Sequence, residues 1–309
     1  MPQPHSSSTS PAFNPASNPG PFVLKIGGTT LEAQSTQRTL WDALLSLHER
    51  LSAKGSGVVV VHGGGKAVDS IIAQLGMPTR REQGLRITPP EQMEVIAGVL
   101  AGSVNKRLVG CINAAAIASS RSARAVGLCL GDGDAFPTER ATLPFDAGRV
   151  GEVVPASDDT AEHQTPPLLR ALLGSGFLPV LSSIGIDSEG GLLNVNADDA
   201  AAGIARMVRA STLALLTDVP GVKGADGRVI PSLRESEAHA LIASGVIAGG
   251  MIPKVRSALA TAKATGSPVV VLSADPAQVQ ELLQGKDAGT KFVAGSRTSD
   301  ARALEERRD

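Results

Sequence analysis

The stretch Gly57-Val-Val-Val-Val-His-Gly-Gly-Gly-Lys66 joins four β-branched residues to a run of three glycines. Val58 to Val61 show no polar alternation, the pattern of a parallel strand covered on both faces. Downstream, Ala67 to Leu75 has helical periodicity and stops at Gly76. Strand, glycine loop and helix start in that order form an anion site, because bare backbone N–H groups face outward and the helix dipole favours negative charge. Two familiar phosphate-binding patterns fail. Val60 and Ala67 occupy the places of the Gly and the Ser or Thr of a Walker loop, and Val68 stands where the dinucleotide fingerprint needs its third Gly. A glycine turn that only tightens a strand-to-helix corner is the plain alternative.

The 309 residues around this stretch carry a net charge of −1, 2% aromatic residues and no Tyr. That balance lacks the basic face of a nucleic-acid binder and the aromatic platforms that stack single strands. Cys111 and Cys129 lie in apolar contexts without ligand spacing and read as reduced core thiols. No apolar run of membrane length is expected, and no signal segment after Met1. The expectation is a soluble, cytoplasmic protein with neither nucleic-acid nor membrane partners. Residues 1–20, rich in Ser, Pro and Asn, read as a disordered tail, and residues 295–309 as a frayed charged one.

Strands and helices alternate along the rest of the chain, which predicts an α/β fold with a largely parallel sheet. Phe22 to Ile26 is the first strand, with Lys25 one step from its carboxyl end. Ligands of open α/β sheets bind beyond that edge, so the cation faces the expected site; a lysine snorkelling from an edge strand is the alternative. A leucine stripe predicts a helix over 37–53. Thr88 and Glu91 predict a capping box, with Pro89 at the first position of a helix running to about 109. Arg86 then precedes a helix start beside Gly84, where a guanidinium suits bidentate capture of a carboxylate; the rival is a solvated surface arginine. The small residues of that helix allow a second helix to approach closely, within the chain or across a dimer.

Further along, a strand at Val126 to Leu130 is expected to turn at Gly131 to Asp134 and pair with Gly148 to Pro155. Leu178 to Ile184 and Thr212 to Leu216 are buried strands, with a lobe boundary near 185–191. Asn196 and Asp199 read as an N-cap pair, which leaves Asn194 and Asp198 without a capping role. Pro220-Gly221 is type II turn chemistry. Lys254 falls in the first turn of a helix over 253–264, where it opposes the dipole unless an anion binds there. Two lysines, an arginine, a glycine loop and an interior aspartate thus fall at strand ends or helix starts. Such a set suits phosphoryl transfer to a carboxylate, in which positioning and charge neutralisation carry the chemistry.

The segments Leu24-Lys-Ile-Gly-Gly28, Val61-His-Gly-Gly-Gly65, Gly84-Leu-Arg-Ile-Thr88, Asn194-Val-Asn-Ala-Asp198, Asp218-Val-Pro-Gly221 and Gly250-Met-Ile-Pro-Lys254 resemble the motif set of the N-acetylglutamate kinases, within the amino-acid kinase family. The resemblance covers residues 22 to about 293, in order and at the family's spacings. It implies a three-layer αβα fold with a mainly parallel central sheet. An N-terminal lobe, 21–186, would bind the acyl amino acid and dimerise; a C-terminal lobe, 187–294, would bind ATP. The reaction implied is transfer of the γ-phosphoryl of ATP to the side-chain carboxylate of N-acetyl-L-glutamate, in arginine biosynthesis. By the same resemblance Lys25 and Lys254 would neutralise the phosphoryl and the leaving ADP, with Asp198 between them orienting both. Gly64 and Gly65 would donate backbone N–H bonds to the attacking carboxylate, and Arg86 and Asn194 would hold the other end of the substrate. Asp218, Val219, Pro220, Gly221, Val222 and Lys223, with Val246, Ile247 and Ala248, would line the nucleotide site. Mg2+ would bridge the phosphates, with no protein residue assigned as its ligand.

Two departures are visible: Gln83 stands where many relatives have Asn, and the Ser/Pro-rich tail is extra. A related carboxylate or carbamate kinase, for instance one acting on an aminoadipate derivative, and a non-catalytic metabolite sensor are the competing readings. Arginine-inhibited hexamers of this family resemble one another in a mobile helix before the first strand. Here Pro2, Pro4, Pro11, Pro15 and Pro19 occupy that stretch, so the expectation is a homodimer that arginine does not inhibit.

Overall fold

The computed structural model describes residues 20–27, 38–154 and 165–293. The expectations for the two tails, and the arginine insensitivity inferred from the first of them, fall outside these residues. Among the described residues one central sheet has eight strands, in the order Ser232–Leu233, Thr290–Phe292, Val269–Ser273, Thr212–Thr217, Phe22–Ile26, Val58–His62, Phe177–Ser182 and Arg124–Cys129. Neighbours are parallel throughout except for Val269–Ser273 against Thr290–Phe292.

The valine run explains the layering. Side chains alternate across a strand, so Val59 and Val61 enter one core and Val58 and Val60 the other. The first core includes Val23, Leu213, Leu215 and Val271 of the sheet, against Ile204 of the helix Ala197–Met207 and Val255 and Leu259 of the helix Met251–Thr265. The second joins Leu24, Val180, Ala214 and Val270 to Leu44 and Leu47 of the helix Arg38–Ser52 and to Ile112. The sheet is therefore sandwiched between helical layers, the αβα arrangement expected.

A smaller four-stranded sheet, ordered Thr138–Arg140, Val150–Val153, Leu192–Val195 and Ile184–Ile186, stands beside the main one. It corrects the expected hairpin. The strand Arg124–Cys129 pairs in parallel with Phe177–Ser182, while Val150–Val153 pairs with Thr138–Arg140 and Leu192–Val195. In this parallel pairing Ala125 is buried in the core that holds Val180. Arg149 ties this small sheet together, donating from Nε to the Leu192 carbonyl at 2.8 Å and from Nη2 to Asp187 at 2.7 Å.

The helix expected to stop near 109 continues from Pro90 to Ala118, 29 residues in all. By length and composition it is long and apolar enough to cross a membrane, contrary to the expectation that no stretch would be. Its inward face nonetheless joins the protein core through Ile96, Leu100, Leu108 and Ile112. Between Gly98 and Val104 it widens into a π-helical turn, the segment that meets the glycine loop. The capping box is also corrected. Pro89 is the N-cap and Pro90 the first helical residue, with no side-chain cap. Thr88 is wholly buried and engaged elsewhere.

Candidate active site

The carboxyl ends of the central strands and two helix starts converge on one cleft of about 240 Å³. Lys25, Gly64, Gly65, Arg86, Asn194 and Asp198 all line it, so the structure gathers these six sequence candidates in one place. Lys25 stands one residue before the end of the first strand, on the face that carries Val23. There the helix Ala197–Met207 begins, and Lys25 Nζ lies 2.7 Å from Asp198 Oδ1. The lysine side chain is 12% exposed, which makes this a partly desolvated pair. Asn196 caps that helix, its Oδ1 accepting from the amides of Asp198 at 2.8 Å and Asp199 at 3.3 Å. Capping fixes the first turn, and the first turn carries Asp198 toward Lys25.

Opposite, the helix Gly65–Gln74 starts directly from the glycine loop. Among the described residues the amides of Gly64 and Gly65 meet no acceptor. A Cβ at Gly64 would come within 2.8 Å of Leu100 Cδ2, and one at Gly63 within 3.2 Å of the Ala197 Cβ. Glycine lets the loop lie that close to the long helix and to the start of the facing helix. The N-termini of two helices thus look into the same space, which favours negative charge there.

Arg86 closes one wall and is 8% exposed. Its Nη2 donates to the Gly65 carbonyl at 3.3 Å and to Asp69 Oδ1, while Nη1 is buried without a partner among the described residues. A buried guanidinium nitrogen with open valence beside a cleft suits an incoming carboxylate. Asn194 donates from Nδ2 to Thr88 Oγ1 at 2.9 Å, and Thr88 donates in turn to the Arg86 carbonyl at 3.1 Å. The two residues expected at the far end of the substrate are thereby joined through Thr88. Gly148 makes this possible: its φ is 68°, and a Cβ there would stand 2.2 Å from the Thr88 carbonyl oxygen.

Lys254 is placed differently from expectation. Asp198 was to lie between both lysines, yet it pairs with Lys25, and the acid near Lys254 Nζ is Asp218 at 3.9 Å. The helix Met251–Thr265 begins beside the end of the strand Thr212–Thr217, where Asp218 is the carboxylate at hand. Lys254 does not line the cleft that holds Lys25.

The remaining nucleotide candidates divide by burial. Val222 and Ile247 are core side chains, and Val222 N donates to Thr290 Oγ1 at 2.8 Å. Lys223 and Ala248 are exposed, and Val219, Pro220 and Val246 are half-buried. Gly221 has φ 146° and no room for a Cβ, which would approach Thr290 Oγ1 and Val229 Cγ1 to 2.7 Å. Thr217 Oγ1 folds the intervening turn by donating to the Val219 carbonyl at 3.0 Å and accepting from its amide at 3.1 Å.

Asp69 bonds Arg86, and His62, held by Asn105, bonds the Gly63 carbonyl; sequence reasoning gave these three no role and read Thr88 only as a helix cap. Asp69 sits four residues after Gly65 on one helix face, a spacing that could have marked it. The wholly buried His62 ends an otherwise all-valine strand. Burial holds its imidazole near pKa 4, so it is neutral.

Residues 20–273 match the amino acid kinase family. The chain belongs to the amino acid kinase family. Among its members, the acetylglutamate kinase of Colwellia psychrerythraea is 44% identical over 273 residues, covering 88% of this chain and 96% of the relative. That of Pectobacterium atrosepticum is 40% identical over 275 residues, covering 89% and 99%. The solved structure of Giardia carbamate kinase superposes with a TM-score of 0.60 at 18% identity, covering 89% of this chain and 99% of that one, a likeness of fold.

Proposed function

We propose that this amino acid kinase transfers the γ-phosphoryl group of ATP to the side-chain carboxylate of N-acetyl-L-glutamate, giving N-acetyl-L-glutamyl 5-phosphate and ADP in arginine biosynthesis. The observation that carries the reading is the pairing, across one cleft, of the Lys25–Asp198 ion pair with the Gly64 and Gly65 amides and the buried Arg86 Nη1, donors that meet no partner among the described residues. A carboxylate oxygen attacks the γ-phosphorus while the bond to the β-bridging oxygen breaks, and ADP departs with that oxygen's electron pair. Negative charge spreads over the transferring oxygens, and Lys25, held by Asp198, stands ready to neutralise it. The Gly64 and Gly65 amides would hold the attacking carboxylate; Arg86 and Asn194 would hold the α-carboxylate and the amide.

Lys254, Asp218 to Lys223 and Val246 to Ala248 would serve the nucleotide from the C-terminal lobe, 187–294, with 21–186 as the acyl-amino-acid lobe. Among the described residues no group of three or more His, Cys, Asp or Glu could cage a metal. That donor set fits Mg2+ arriving on the phosphates, where it would neutralise their charge with at most one or two carboxylates in support. The sites would work in the cytoplasm, in a homodimer that pairs the long helix with its copy. Cβ atoms added at Gly98, Gly102 and Gly110 would meet nothing within 4 Å, and Ile117 is 65% exposed.

ADP release measured with N-acetyl-L-glutamate, an N-acetylated aminoadipate and no acid tests the activity. Release that needs N-acetyl-L-glutamate is expected; release with the aminoadipate derivative alone, or with neither, would replace this reading by one of its rivals. Light scattering that gave a monomer mass would remove the dimer.

A further inference from the structure

We infer that His62 and Asn105 are positioning residues that aim the Gly64 amide into the cleft, an inference resting on the phosphoryl-transfer reading of that site. Asn105 is wholly buried in the long helix, just past its π-helical turn. Its Nδ2 lies 2.9 Å from the Val180 carbonyl and 3.0 Å from His62 Nε2, and its Oδ1 accepts from Lys106 Nζ at 3.2 Å. Only an NH2 group can serve the Val180 carbonyl, so the amide orientation is fixed and His62 Nε2 must be the acceptor. The single imidazole proton therefore sits on Nδ1, which donates to the Gly63 carbonyl at 2.8 Å. Burial, with the Lys106 charge in addition, lowers the ring's pKa, so it carries one proton and not two.

The consequence lies in the next peptide unit. No described peptide bond is cis, and in a trans unit C=O and N–H point in opposite directions. Holding the Gly63 oxygen against His62 turns the Gly64 N–H away from His62. That N–H is one of the two glycine-loop amides at the cleft that find no acceptor among the described residues. Leu100 and Val104 of the π-helical turn pack against the same glycine, so the loop is pressed from one side and held by a hydrogen bond from the other. Without His62 the Gly63–Gly64 unit can rotate, as glycine permits, and the donor is lost from the reaction even when the fold survives.

His62→Leu removes the donor to the Gly63 carbonyl, whereas His62→Asn can restore it through Nδ2. In the full chain, His62→Leu is expected to lower kcat about 10- to 100-fold with the KM for ATP unchanged, and His62→Asn to recover most of that loss. In the 15N-labelled chain, N-acetylglutamate should shift the Gly64 amide resonance. The shift should shrink in His62→Leu and return in His62→Asn. Equal loss of kcat in both variants, or the same Gly64 response in all three chains, would overturn the inference. Should His62→Leu not fold, Asn105→Ala gives a second readout. The 15N imidazole spectrum of the parent should show the Nδ1–H tautomer, and this variant should gain the Nε2–H form and lose kcat about 10-fold. An unchanged tautomer would equally overturn it. A parent chain with neither acid-dependent ADP release nor a Gly64 response would instead overturn the functional reading beneath it.

Discussion

Lys25 would be an odd choice for a strand interior if packing were its only task. Its neighbours along the strand, Leu24 and Ile26, are fully buried on one face; alternation puts Lys25 on the other, where it pairs with Asp198. Its charge matters most when the phosphoryl oxygens gain charge, so Lys25→Ala should lower kcat by on the order of 10² or more while thermal stability changes little. Steady-state kinetics beside a melting curve checks this; loss of stability alone would make it a snorkelling lysine. Asp69 belongs to the same scale. It holds Arg86 from the helix side and shares Arg81 at 2.9 Å, an exposed pair of small worth. Asp69→Asn should therefore raise the KM for N-acetylglutamate roughly 10-fold and leave that for ATP unchanged, because only the orientation of the guanidinium is loosened. If both constants moved together, Asp69 would be supporting the lobe and not the arginine.

At the scale of elements, the long helix and the strand Arg124–Cys129 meet at Gly127. A Cβ there would come within 1.9 Å of Asn105 Oδ1 and 2.8 Å of Lys106 Nζ. Asn105 cannot retreat cheaply, since it serves Val180, His62 and Lys106 together. Gly127→Ala should thus cost about 1–3 kcal/mol of stability by overpacking and should also slow the reaction, because the displaced asparagine is the one that fixes His62. Denaturant unfolding together with kcat tests the pair of effects; lost stability at full activity would separate the strand contact from the site. The length of this helix escaped sequence reasoning for a related reason. Gly102 and Gly110 weaken the helical signal, and only packing against the sheet and the glycine loop carries the helix through them to Ala118.

For the whole molecule, two buried histidines link stability to pH. His62 has its pKa lowered to about 4 by burial, and His48, lowered likewise by burial, accepts from the Val58 amide at 3.1 Å with Nδ1 and reaches the Gly176 carbonyl at 3.2 Å with Nε2. Both are folded in the neutral form. A depressed pKa means that the unfolded chain takes up protons first, so the contribution is complete above about pH 6.5 and is lost as pH falls toward 4. For His62 alone this amounts to on the order of 3 kcal/mol. Unfolding midpoints measured from pH 7.5 to 4.5 should fall through that window, less steeply in His62→Asn; a flat profile would mean that water reaches these rings.

What the sequence determined by itself was local and periodic. Val58 to Val61 made a strand buried on both faces, the leucine stripe made the helix Arg38–Ser52, and Asn196 made a helix start, because each depends on neighbours a few residues away. The motif residues were legible for the same reason, since glycines and charges at strand ends stand out against an apolar run. What only the tertiary structure decided were partners distant in sequence. Thr88 looked like a cap and became the bridge between Asn194 and Arg86; the strand Arg124–Cys129 found Phe177–Ser182 in place of a hairpin mate; Asp198 chose Lys25 and left Lys254 to Asp218. Hydrogen bonds and ion pairs are settled by which groups the packed sheet and helices bring within about 3 Å, and no periodicity in the chain encodes that distance.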